Sequence, residues 1–184
     1  MDAKRQGDWM QTFTGLQFWP LDPRPEEICI EDIAHALSLQ CRFAGHVKRF
    51  YSVGEHSWRV SKVCNPENEL WGLMHDAAEA YLVDLPRPIK HFSALGDEYR
   101  AIEKRLMVAV CSRFGLSEIE PLDVKKSDDF LLQWEQRDLM GPAPKPWREQ
   151  GALLPRGPLV PMSPHVAEVA FMRRFEELTQ GRER

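Results

Sequence analysis

Apolar residues recur along most of this chain at three- and four-residue spacing, the period of a helix with one face against a core. In EDIAHALSL, from about Glu31, the residues Ile30, Ile33, Ala34 and Leu37 share a face and predict a short amphipathic helix that fades into the basic loop CRFAGHVKRF. Ser52-Val53-Gly54-Glu55 fits a capping box, so a second helix is expected from there to about Cys64. Asn65-Pro66 is the next start signal and opens a helix to about Leu82, before Asp84-Leu85-Pro86-Arg87-Pro88 breaks the pattern. A fourth helix is expected from about Asp97 to Phe114, with Tyr99, Ile102, Leu106 and Val110 on one stripe and Gly115 placed to end it. A fifth follows from about Pro121 to Met140.

Residues 142–164 hold seven of the 14 prolines and no helical period, so an extended surface wrap is expected there. Pro164 then starts a last helix, docked through Phe171, Phe175 and Leu178. At the other end, residues 1–27 are aperiodic and read as an arm anchored by Trp9, Phe13, Phe18 and Trp19. No segment alternates with period two. The predicted architecture is all-α: one domain made of the arm (1–27), a helical core (28–141) and a Pro-rich segment with a docking helix (142–184).

Polar residues interrupt this pattern where a core is expected. LWGLMHDAAEAYLV, residues 70–83, is apolar nearly all round, and only His75, Asp76 and Glu79 are strongly polar. Their spacing puts them on one helical face. On the second helix the stripe His56, Val60, Val63, Cys64 carries an imidazole in a core position, and on the fifth the stripe Val124, Asp128, Leu131, Leu132 carries a carboxylate. A buried, unpaired charge costs several kcal/mol, so these groups need partners or a cation. Taken singly, His56 reads as a hydrogen-bonded core histidine and Asp128 as a partner for an arginine. Together, two imidazoles and two carboxylates from three helices fit one divalent transition metal, with cobalt, manganese, zinc, iron and nickel all compatible with such ligands.

Composition narrows the partners. The 184 residues are 43% hydrophobic and 28% charged with a net charge of −4, an ordinary globular balance without the basic footprint of a nucleic-acid polymer binder. The four cysteines Cys29, Cys41, Cys64 and Cys111 form no C-x-x-C pair and read as free thiols. No apolar run is long enough for a membrane span, and the N-terminus has no signal-peptide core, so no membrane partner and a cytoplasmic location are expected.

The order His56, His75-Asp76, Asp128 resembles that of the HD-domain phosphohydrolases. The segments SVGEHS, MHDAAEAYLVDLPRPIK, YRAIEK and VKKSD are similar to the bacterial 5′-deoxynucleotidase branch and its phage dATP triphosphohydrolase relatives, over about residues 17–140. The tail beyond residue 141 resembles that of other HD-family hydrolases. The resemblance implies a helical bundle around one metal held by His56, His75, Asp76 and Asp128, and a homo-oligomer, dimer or hexamer. It implies a catalytic role for Glu79, an acidic residue near the attacking water at Asp84, and a lysine at Lys90. In FWPL it places Trp19 beside the sugar and Leu21 near the base. Two positions depart from it: Phe18 stands where the deoxynucleotidases carry a phosphate-contacting arginine, and Val83 stands where glycine is usual.

The expected function is hydrolysis of small-molecule 2′-deoxynucleotides, either monophosphates to nucleoside and phosphate or triphosphates to nucleoside and triphosphate. A metal-activated water would do the chemistry, with Glu79, three and four residues past the ligand pair, as base or orienter and Asp84 sharing the role. The structural alternatives are a hydrogen-bond partner of a ligand for Glu79 and a turn residue for Asp84. Phosphate charge can be met by Arg42, His46, Lys48 and Arg49 before the second helix and by Arg87 and Lys90 after the third. The competing readings are an HD-type di-iron oxygenase, for which His35 and His46 lack the spacing, and a catalytically inactive HD-fold nucleotide-sensing or scaffold protein.

Overall fold

The computed structural model describes residues 5–147 and 151–180. The first four residues of the expected arm, residues 148–150 of the Pro-rich segment and the last four of the expected tail lie outside the described residues. The arm contains a small antiparallel ribbon, β1 (Met10–Gln11) and β2 (Gln17–Phe18), with Met10 opposite Phe18. Strands of two residues are too short to show an alternation in sequence. Helices α1 (Ile30–Leu39) and α2 (Val53–Val63) form where their apolar stripes predict, with Ile33, Ala34, Leu37, Val53 and Val60 all fully buried, whereas Val63 of the expected α2 stripe stays 42% exposed. The Ser52 hydroxyl accepts from the Glu55 amide at 3.0 Å, which is half of the expected capping box. The other half is absent because the Glu55 carboxylate turns to Arg59 and to the Met162 amide instead.

The helix expected from Asn65 to Leu82 is divided. Pro66–Asn68 is a single 3-10 turn without a side-chain cap, α3 covers Glu69–Met74, and α4 covers Glu79–Leu82. Between them the chain tightens to three-residue bonds, Ala77 N to Met74 O and Glu79 N to Asp76 O, each 2.9 Å. One cause is local: His75 Nδ1 lies 2.8 Å from the Gly72 carbonyl, the acceptor that the Asp76 amide would use in an unbroken helix.

A second correction concerns the Pro-Arg-Pro stretch, which forms α5 (Arg87–Phe92) because proline is tolerated in a first turn. Helix α6 (Ala94–Phe114) starts earlier than expected, capped by Ser93, and ends at left-handed Gly115. Helices α7 (Leu122–Leu139) and α8 (Pro164–Thr179) complete the all-α domain. Among the described residues no helix is long and apolar enough to cross a membrane.

The main core joins α1, α3, α4, α6 and α8 through Ile33, Leu37, Leu73, Met74, Tyr81, Leu106, Val110 and Phe171. Two glycines set the spacing around α2. A Cβ on Gly54 would lie 2.7 Å from Ser38 Oγ on α1, and one on Gly72 would lie 2.6 Å from Cys64 Sγ. This close seating brings α2, which carries His56, against α3, whose C-terminal end leads into His75. The Pro-rich segment wraps the surface as expected, held by polar clamps: Arg137 reaches the carbonyls of Pro155 and Gly157, Asp138 accepts from the Leu159 amide, and Leu159 is buried against Tyr51 and Leu139. In the arm, only Phe18 of the four expected anchors is buried. Trp9 and Phe13 are exposed, Phe13 stacking on His35, and Thr14 is tied instead to the buried Asp32 carboxylate.

Candidate metal centre

Helices α2 and α7 and the tightened turn after α3 each contribute to one cluster. His56 on α2 is fully buried, His75 nearly so, and Asp76 and Asp128 keep about a fifth to a quarter of their side chains open to solvent. His56 Nε2 lies 3.2 Å from His75 Nε2, 3.3 Å from Asp128 Oδ1 and 3.8 Å from Asp76 Oδ2, and His75 Nε2 is 3.2 Å from Asp76 Oδ2. The ligand atoms of His56, His75 and Asp76 are mutually within 4.8 Å and could hold a metal ion. Asp128 joins them through His56, its second oxygen held by Lys125 at 2.9 Å.

The opposite nitrogens explain which atoms face inward. His75 Nδ1 is taken by the Gly72 carbonyl, and His56 Nδ1 is 2.6 Å from Glu135 Oε1. Each Nδ1 therefore donates, so in the neutral form of each ring it is Nε2 that carries the lone pair. Two lone pairs at 3.2 Å repel unless something positive lies between them. One shared proton serves that purpose, but a proton on each ring would set two N–H groups against each other. A dication satisfies both nitrogens at once.

The charges agree. Around the two rings lie the carboxylates of Asp76, Asp128 and Glu135 and the single buried guanidinium of Arg42, which leaves two negative charges, the charge of one dication. Lys125 is half exposed, so water screens its contribution. Burial and Arg42 oppose charging His56, yet Glu135 and Asp128 outweigh them and lift its pKa to about 9. Burial raises the Asp76 and Asp128 carboxyls, and the imidazoles beside them more than reverse this and hold both below the usual range. The donor set fits a divalent transition metal.

Glu79 opens α4 at the edge of the cluster with only 5% of its surface exposed. Its Oε2 has no hydrogen-bond partner and its Oε1 lies 3.9 Å from Lys90 Nζ, which is itself paired with Glu103 at 2.7 Å. Burial, then the charges of Asp76 and Asp84, push its pKa well above the ordinary carboxylate range. Asp84 is half-buried and shifted upward by burial. It follows an unusual residue: Val83 has φ 64° and ψ 159°, a backbone that glycine adopts freely and a β-branched residue resists, and its carbonyl accepts from Tyr99 Oη at 2.5 Å. A glycine, which the resemblance leads one to expect at this position, would adopt that torsion without strain.

The remaining expected site residues divide. Arg42 was expected at the phosphate, but its guanidinium is buried against Glu135 and Asp76, so it supports the cluster from beneath. Phe18 was expected near substrate; it is fully buried and stacked on Tyr81 with centroids 4.1 Å apart, a core position that offers no surface to a ligand. Trp19 is half-buried with Arg5 over its ring at 4.2 Å, and Leu21 lies beside Gly7 in the same arm. Lys48 and Arg49 are exposed on the loop before α2. Sequence reasoning missed Glu135 and Tyr99. Glu135 carried a signal, since it lies seven residues after Asp128 on the same face of α7; Tyr99 carried none.

No family model matches the chain. It is 34% identical over 183 residues to uncharacterized protein YfdR of Escherichia coli strain K12, covering 95% of this chain and 97% of that protein. It is 38% identical over 128 residues to uncharacterized protein RCAP_rcc00048 of Rhodobacter capsulatus, covering 65% of this chain and 64% of that one.

Proposed function

The chain belongs to one family with Escherichia coli YfdR, and from its site we propose that it is a metal-dependent phosphohydrolase of the HD type acting on 2′-deoxynucleotides. The observation that carries the reading is the meeting of four ligand side chains from three elements beside a buried, unpartnered Glu79 oxygen. His56, His75, Asp76 and Asp128 would hold one divalent ion. When bound, such an ion acidifies a water and polarises a phosphoryl group.

The protein's own groups do the rest. Glu79 takes or orients the water's proton through Oε2, the one oxygen nothing else uses. Asp84 shares that proton. Lys90, fixed by Glu103 and close to Glu79, offers positive charge to phosphate oxygens. Trp19, its ring held by Arg5, packs against the sugar and leaves a 2′-hydroxyl without water or partner. Burying such a hydroxyl costs about 1–3 kcal/mol, so deoxy substrates are preferred roughly 10-fold to 100-fold.

The test is a metal-supplemented screen of dNMPs, dNTPs and their ribo counterparts, with phosphate, pyrophosphate and triphosphate measured separately. Turnover of deoxynucleotides ahead of ribonucleotides supports the reading. Failure to cut any nucleotide under every metal contradicts it.

A further inference from the structure

We propose that Glu135 and Arg42 are positioning residues for the metal: neither would touch it, yet together they fix the tautomer of His56 and the place of Asp76. The proposal rests on the metal reading of the cluster but not on the reaction. Glu135 is fully buried on α7, on the face that carries Asp128 and otherwise buries Val124, Ser127, Leu131 and Leu139, none of them charged. A residue that only filled space there would not be a carboxylate, because an unpaired buried charge is strongly destabilising. Its two oxygens are both used. Oε1 is 2.6 Å from His56 Nδ1, a charge-assisted distance, and Oε2 is 3.2 Å from Arg42 Nε. With the carboxylate accepting at Nδ1, the imidazole proton is kept on that side and Nε2 is left free to ligate.

Arg42 extends the same device to a second ligand. Its Nη1 is 3.5 Å from Asp76 Oδ2, so one guanidinium ties the carboxylate on α7 to the carboxylate after α3. The arginine is itself held, its amide donating to the Tyr51 carbonyl at 2.9 Å while Cys41 pairs with Ser52. Two ligands from different elements are therefore oriented from one buried ion pair, and metal affinity depends on groups outside the coordination set.

The experiment titrates the full chain with Co²⁺ alone, reading affinity by calorimetry and coordination by visible absorption. Glu135→Gln keeps the volume and removes the charge, so a glutamine presents Nδ1 with a carbonyl or an amide with similar ease. The expected result is a loss of affinity of roughly 10-fold to 100-fold with helicity unchanged, as for other residues that orient a ligand. In the metal-free variant, titrated until His56 carries a single proton, imidazole ¹⁵N spectra should show some of that proton on Nε2, where the parent keeps it on Nδ1. Since Glu135→Gln leaves the buried Arg42 with Asp76 as its one ion-pair partner and can unfold the chain, R42Q/E135Q removes both charges, and the same loss is expected. A folded variant that binds Co²⁺ as tightly as the parent, with the His56 tautomer unchanged, overturns the proposal. Turnover is not read, so an absent nucleotide hydrolysis would count against the proposed function and leave this inference standing.

Discussion

His56 Nε2 and His75 Nε2 lie 3.2 Å apart, while the other nitrogen of each ring is committed to an acceptor, Glu135 for one and the Gly72 carbonyl for the other. A dication between these nitrogens, in place of the proton they share, would be a stabilising ligand of the folded state alone. At a free metal concentration of 100 times the dissociation constant, linkage adds about 2.7 kcal/mol. The melting midpoint should therefore rise by several degrees on adding Mn²⁺, Co²⁺ or Zn²⁺, and His75→Ala should remove the rise. Equal midpoints with and without metal would count against the ligand assignment.

Glu79 is the next residue to test. Its unpartnered oxygen and raised pKa suit a group that handles a proton and does not ligate. Glu79→Ala is expected to keep metal and fold and to lose about 10²-fold or more in rate. Unfolding of the variant would point to a structural role, and near-normal rates would transfer the chemistry to Asp84.

Val83 stores strain at φ 64°. Such a torsion costs of order 1–3 kcal/mol in a residue with a side chain, while a glycine costs about 0.5–1 kcal/mol in chain entropy. Val83→Gly should therefore stabilise the protein by up to about 2 kcal/mol, seen as a higher urea midpoint at unchanged slope. A lower midpoint would mean that the side chain, although 61% exposed, contributes more than its backbone strains.

These three sites also show what the sequence could reveal. His56, His75, Asp76 and Asp128 were legible because each breaks an apolar helical stripe, and such a break is visible without coordinates. Glu79 was legible for the same reason. The break in the helix at His75 was not: it depends on the imidazole capturing the Gly72 carbonyl, and periodicity reports faces but not hydrogen-bond partners. Phe18 and Arg42 were misplaced for a related reason. An aromatic next to a tryptophan and an arginine in a basic loop look accessible, and only the packing against Tyr81 and Glu135 shows that both are interior. The ribbon in the arm and helix α5 were too short for any periodicity to register.

The Pro-rich wrap makes a pH prediction. Asp138 accepts from the Leu159 amide at 2.6 Å, from Trp134 Nε1 at 2.9 Å and from Arg137, and the hydrogen bond to Arg137 is the main reason its pKa is lowered. A carboxylate with a depressed folded pKa contributes stability that is present above its unfolded pKa and lost as pH falls through the folded one. Wild type should thus exceed Asp138→Asn in stability, by about 1 kcal/mol, at neutral pH, with the gap closing below about pH 4. Chemical denaturation across pH would show it, and a gap that stays constant down to acid would contradict it.

One catalytic divalent ion is expected at His56, His75, Asp76 and Asp128. The most direct measurement strips the protein with chelator, reloads it with one transition metal at a time, and follows deoxynucleotide hydrolysis alongside elemental analysis. The account predicts loss of turnover on stripping, recovery at about one metal per chain, and neither binding nor recovery in Asp76→Ala. Full activity after exhaustive chelation, with no metal left by elemental analysis, would contradict it.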